Sequence, residues 1–219
     1  MRKKPPVARR NAVDSRTARP ALVTHTIEPV YDERSRVLVL GTMPSPKSRE
    51  VGFFYGHPQN RFWRVMEALF GLEDRALADN DARRAFLLNE HIALWDVLAS
   101  CEIDGASDAS IRNARPNDLR RILDAAPITA VFTTGTKAAR LYRRYCEDDC
   151  GMPATPLPST SPANARMRLP ELVEAYRPLL DALRRPKPPK PHHAALAARS
   201  QSADLRQGLL IACHAAKAP

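Results

Sequence analysis

Short apolar runs alternate along this chain with stretches whose apolar positions recur at helical spacing. Residues 37–40 (VLVL), running into Gly41, read as a buried strand, as do residues 92–95 (IALW) and 130–133 (AVFT). Residues 155–158 (TPLP) form a weaker extended segment. Helices are predicted over 60–70, 82–89, 117–125, 136–146 and 169–183. Strand, helix, strand, helix predicts an α/β fold: three αβα layers around a central, parallel, four-stranded sheet. Such sheets gather their sites at the carboxyl ends of the strands. Here those ends are residues 41–45 (GTMPS), the region after Trp95, Thr134-Gly135 and residues 159–161 (STS).

Charge divides the chain. Of a formal net charge of +10 over 219 residues, residues 1–26 carry seven Lys/Arg against Asp14, and residues 186–219 carry five against Asp204. The middle is neutral. Residues 1–26 read as a disordered basic arm, 27–185 as the folded domain, and 186–219, opening with a Pro/Lys linker, as a second basic tail. Two cationic arms on a neutral body suit a polyanionic partner, although solubilising tails have the same composition. No apolar run approaches the ~20 residues of a membrane span, and no apolar signal core follows the basic start. The expectation is a cytoplasmic, nucleoid-associated monomer of bacterial type that touches no membrane. The four cysteines, Cys101, Cys146, Cys150 and Cys213, lack metal-ligand spacing, so they read as reduced thiols and no metal or cofactor is expected.

Residues 51–63, VGFFYGHPQNRFW, set five aromatics and two carboxamides side by side without a carboxylate. Together, GTMPS, HPQNRFW, LWDV (94–97) and LPSTSPANA (157–165) resemble the uracil-DNA glycosylase superfamily, most closely its deoxyinosine (hypoxanthine) DNA glycosylase branch. The resemblance covers about residues 35–180. It implies an enzyme that flips a deaminated base out of double-stranded DNA and hydrolyses its glycosidic bond, leaving an abasic site. Uracil or mismatch-directed excision on the same scaffold, and damage binding without cleavage, are the alternatives.

By that resemblance Tyr55 aligns with the aromatic that stacks on the flipped base, and the backbone of Gly41, Thr42 and Met43 faces the base. Two departures matter. Met43 stands where most of the superfamily has a water-orienting Asp or Asn, and Leu157 stands where uracil glycosylases carry a histidine. Asn60 then matches the catalytic amide of the deoxyinosine branch, although an Asn at that point also suits a helix cap. His57 is a candidate base or DNA contact, or a group serving its own turn. Ser45, Ser159, Thr160, Ser161 and Asn164 are candidate DNA contacts, with Asn164 in the segment expected to fill the gap left in the duplex. The loop 101–117 offers further polar groups to the base. No lysine in these motifs can form a Schiff base, so strand cleavage is not expected.

Overall fold

The computed structural model describes residues 21–103 and 110–185. Its first half runs through β1 (Ala21–Thr24), β2 (Val37–Gly41), α1 (Pro46–Val51), α2 (Phe62–Phe70), α3 (Asn80–Asn89), β3 (Ile92–Asp96) and β4 (Leu98–Ile103). Its second half runs through β5 (Arg112–Pro116), α4 (Arg120–Leu123), β6 (Ala130–Thr134), α5 (Thr136–Tyr145), α6 (Glu147–Cys150), β7 (Ala154–Leu157), α7 (Leu169–Ala175) and α8 (Arg177–Arg184). The expected parallel four-stranded sheet is present, in the order β3-β2-β6-β7. Helix α3 packs on β3, and α5 packs on β6 and β7. Every residue of β2 and β3 is buried, which is why both read as unbroken apolar runs. The register sets Gly41 opposite Asp96 and Thr134 opposite Leu157. The carboxyl ends of neighbouring strands are therefore level, and the loops that leave them meet.

A second sheet was not expected. Strands β1, β4 and β5 pair antiparallel in the order β1-β4-β5. Val97 alone separates β3 from β4. Its N–H donates to the Gly41 carbonyl at 2.9 Å and that of Leu98 to the Thr42 carbonyl at 3.1 Å, so the chain stays tied to the end of β2 while it changes sheet.

Four expectations are corrected. Folded chain begins at least as early as Ala21, not after residue 26: Val23 pairs with Cys101 and the His25 N–H donates to the Ala99 carbonyl at 2.7 Å. The segment 101–117 is not simply a loop, since Cys101 is buried within β4 and residues 112–116 form β5; Gly105, Ala106, Ser107 and Asp108 lie outside the described residues, as do Cys213 and most of both arms. The single helix expected over 169–183 is two, with Tyr176 between them, because Pro178 has no N–H to continue the first. Helix α1 is additional, capped by the Ser45 hydroxyl, which accepts from the Ser48 N–H at 3.2 Å, and closed by Gly52 at φ 68°. Among the described residues no helix is long and apolar enough to cross a membrane.

Candidate active site

The strand ends and the loops after β2, before α2 and after β7 enclose a cavity of about 340 Å³. Gly41, Thr42, Met43, Ser45, Tyr55, Asn60, Ser159, Thr160 and Ser161 all line it, drawn together from positions 120 residues apart. Its floor depends on Gly41 having no side chain. A Cβ there would lie 2.1 Å from Asp96 Oδ1 and 3.2 Å from the Tyr55 hydroxyl.

Tyr55 is fixed from two directions. Its ring stacks on Phe62 with centroids 4.0 Å apart and planes 14° from parallel. Its hydroxyl donates to Thr134 Oγ1 at 2.8 Å, because the Thr134 hydroxyl itself donates to the Leu40 carbonyl at 3.4 Å. Tyr55 also holds a left-handed backbone, φ 53°, which a bulky side chain rarely adopts. Burial, and then the Asp96 charge, push its phenol well above the ordinary tyrosine range, so it stays neutral. Phe62 and Trp63 are core residues: both are buried, and the Trp63 indole N–H donates to the Phe54 carbonyl at 3.0 Å.

Asn60 both enters the cavity and shapes the chain. Its Oδ1 accepts from the Phe62 N–H at 3.0 Å, at the start of α2, and from the Thr160 hydroxyl at 2.9 Å. A backbone N–H can only donate, so the carbonyl end of the amide must face inward and Nδ2 must face the cavity. Both lone pairs of Oδ1 are then engaged. Of the two ends of the amide, the oxygen is thus engaged within the protein and the nitrogen is left to the cavity.

The segment 159–168 is held by Arg61. The Arg61 guanidinium donates to the carbonyls of Met167, Ser161 (3.0 Å), Asn164 (2.8 Å) and Thr160 (3.4 Å). Arg61 is thereby spent on internal carbonyls. Asn164, expected to probe the duplex, donates from Nδ2 to the Ser159 carbonyl at 2.8 Å and does not line the cavity. Ser159 Oγ accepts from the Ser161 N–H at 3.2 Å, and Ser161 Oγ accepts from the Ala163 N–H at 3.3 Å. His57 also lies outside the cavity lining, in an exposed turn where its Nδ1 accepts from the Gln59 N–H at 3.1 Å. Local turn geometry took both side chains.

Sequence reasoning missed Asp96 and His25. Asp96 ends β3, is 4% exposed and lines the cavity. Its Oδ2 meets His25 Nε2 at 2.9 Å. The Asp of LWDV stood at an expected strand end and was readable as a site residue; His25 was hidden in the segment taken for a basic arm.

Burial raises the thiols of Cys146 and Cys150 and disfavours their thiolates. Cys146 is buried and pushed up to about 12, with desolvation as the first cause. Among the described residues no group of three or more His, Cys, Asp or Glu is placed to hold a metal.

Known proteins show the same organisation. Residues 28–184 match the family model described as the uracil DNA glycosylase superfamily. A "Hypoxanthine DNA glycosylase" of Methanosarcina barkeri (strain Fusaro) is 33% identical over 111 residues, covering 50% of this chain and 70% of that protein. A protein of the same description from Methanosarcina acetivorans is 30% identical over 139 residues, covering 63% of this chain and 85% of its own. A solution NMR structure from Methanosarcina acetivorans, described as a candidate uracil DNA glycosylase, superposes with a TM-score of 0.59 at 28% identity, covering 73% of this chain and 99% of that one.

Proposed function

The chain belongs to the uracil DNA glycosylase superfamily, and on that premise we propose that it excises hypoxanthine from double-stranded DNA by hydrolysing the bond between C1′ and N9, leaving an abasic site. The observation that carries this reading is Asn60: the cavity has an amide donor there, while Met43 follows β2 and Leu157 ends β7 where the superfamily's Asp or Asn and histidine would stand. The relatives described as hypoxanthine DNA glycosylases support the choice of base.

Extrusion of the base costs a few kcal/mol. Stacking on Tyr55 offsets part of that cost. As the C1′–N9 bond breaks, its electron pair moves to the base and positive charge develops on the sugar. Asn60 Nδ2 donates to the departing base, and the backbone N–H groups of Thr42 and Met43 add donors to the same charge. Water adds to C1′, loses its proton to solvent, and the base takes up a proton. A sugar cation formed by dissociation needs no strong base to capture water, so the engaged Asn60 oxygen is no obstacle. In this reading Ser45 and the turn 159–161, which line the cavity, take the flanking phosphates, and half-buried His57 contacts the strand beside it. Among the described residues no lysine lines the cavity, so the product is an abasic site without strand cleavage.

The test is direct. The purified full chain is incubated with duplexes containing inosine, uracil, xanthine or no lesion, and abasic sites are cleaved with alkali. Release from inosine above the other lesions is expected. A preference for uracil overturns the base assignment, and binding to inosine duplexes without release makes the protein a damage-recognition module.

Gly41→Ala supplies a second check. The new methyl would occupy the position of Asp96 Oδ1 and crowd the Tyr55 hydroxyl. Base release is expected to fall at least about tenfold, the scale of a displaced binding group. Thermal melting should show a folded protein. Unchanged release would mean that the base does not reach the floor.

A further inference from the structure

We propose that Arg49, on α1, clamps one of the two phosphates that flank the extruded nucleotide, on the side of the cavity formed by the loop after β2. The proposal rests on the glycosylase reading above and adds to it a charged group that fixes the nucleotide's backbone.

Arg49 is the only cation among the described residues that line the cavity. It is half-buried, whereas Gly41, Asp96 and Thr134 are buried, so it belongs to the rim rather than the floor. Its Nη1 donates to the Pro44 carbonyl at 2.8 Å. That bond ties the guanidinium to the loop after β2, whose Thr42 and Met43 also line the cavity. The other N–H groups of Arg49 donate to no described residue. Nor does a described carboxylate neutralise it: Glu50, its neighbour on α1, pairs with Lys47 at 2.6 Å. Ser45, one turn earlier, offers no charge, and its Oγ already accepts from the Ser48 N–H as the cap of α1. Charge on this side of the cavity therefore comes from Arg49.

The chemistry of the nucleotide chooses the ligand. It brings a neutral base, a neutral sugar and a negative phosphate on either side. A guanidinium with donors to spare, partly shielded from water, suits phosphate oxygens, because its planar fork can make paired, charge-assisted hydrogen bonds. The reaction points the same way. Positive charge develops on the sugar as the C1′–N9 bond breaks, and an unpaired guanidinium in the same cavity would oppose it. Bound to a phosphate, Arg49 is neutralised and the opposition is removed. Because the Pro44 carbonyl fixes the guanidinium to the loop that donates to the base, a held phosphate also sets where the base can lie.

The contact is tested from both partners. Inosine duplexes carrying a methylphosphonate, an uncharged linkage, on the 5′ or the 3′ side of the inosine are compared with the all-phosphate duplex, using the full chain at subsaturating enzyme. At the phosphate that Arg49 holds, the wild type is expected to lose about tenfold or more in single-turnover release, the scale of a hydrogen bond between charged groups. Arg49→Gln should lose about tenfold on the all-phosphate duplex and little more when that phosphate is neutralised. The slope of its log affinity against log salt should be smaller by about 0.9. Arg49→Lys keeps the charge without the fork and should recover part of both the rate and the sensitivity. A merely structural role for Arg49 would leave the sensitivity to the phosphate unchanged.

Two controls keep the outcomes apart. Thermal melting shows whether each variant folds; should Arg49→Gln not fold, Arg49→Lys and the wild-type series decide. Equilibrium binding to the same duplexes reads the contact without turnover. If the wild type releases no base from any duplex, the glycosylase reading fails, and the binding series alone decides the phosphate contact. Sensitivity at one phosphate that Arg49→Gln removes supports the proposal. A wild type indifferent to both neutralised linkages overturns it. So does a folded Arg49→Gln variant that loses the same factor on every duplex, which would assign Arg49 to the base or the sugar.

Discussion

Asn60→Asp is expected to lower single-turnover base release by about 10²-fold or more, the scale of losing one hydrogen bond made to developing charge, while the protein melts close to the wild type. The carboxylate keeps an oxygen for the Phe62 N–H and the Thr160 hydroxyl and turns the donor that faces the cavity into a negatively charged acceptor. Asn60→Ala is a blunter probe. It removes the chemistry and also leaves the Thr160 hydroxyl, on a residue 1% exposed, without its acceptor, at a cost of about 1–3 kcal/mol. Comparing the two variants separates catalysis from support. Rates near the wild type for Asn60→Asp would reduce Asn60 to a helix-start and loop-tying residue.

Burial on both faces made the central sheet legible. The apolar runs VLVL, IALW and AVFT have few readings other than a covered parallel strand, and β2, β3 and β6 lie where they were expected. The second sheet left no such trace. β5 is Arg-Asn-Ala-Arg-Pro, almost wholly exposed, and pairs with β4 through register shifts. Its existence depends on a partner strand rather than on its own pattern. Helix α1 was readable in local chemistry, with Ser45 before Pro46 and Gly52 after Val51, but it is too short for a periodicity to register.

The site divides in the same way. The run YGHPQNRFW located Tyr55, Asn60 and the helix start, yet which end of the Asn60 amide meets the substrate is decided by Thr160, a hundred residues further along. Asn164 and His57 were chosen for their polarity, and each is engaged by a neighbour within five residues. Asp96 became significant only when β1 brought His25 behind it, a pairing across 71 residues that no local pattern encodes.

Deleting residues 1–20 and 186–219 together is expected to weaken DNA binding and flatten its salt dependence, with little change in single-turnover release at saturating enzyme. The cuts follow the structure: residues 21–25 belong to the folded domain, and all seven cations of the first arm lie before them. Each Lys or Arg that neutralises a phosphate contributes about 0.9 to the slope of log K against log salt. If about six of the twelve arm cations do so, the arms contribute a slope of about 5, or roughly 10³ in affinity between 50 and 200 mM salt. Among the described residues, those that line the cavity all lie within 41–163, so the chemical step should survive the deletion. Arg61, an obvious candidate for a DNA contact within the domain, is committed to four carbonyls, and Arg168 pairs with Glu171. Identical salt slopes for full-length and truncated protein would remove the arms from DNA binding. The basic groove of Arg112, Lys137, Arg140 and Arg144 on β5 and α5 would then be the face to mutate.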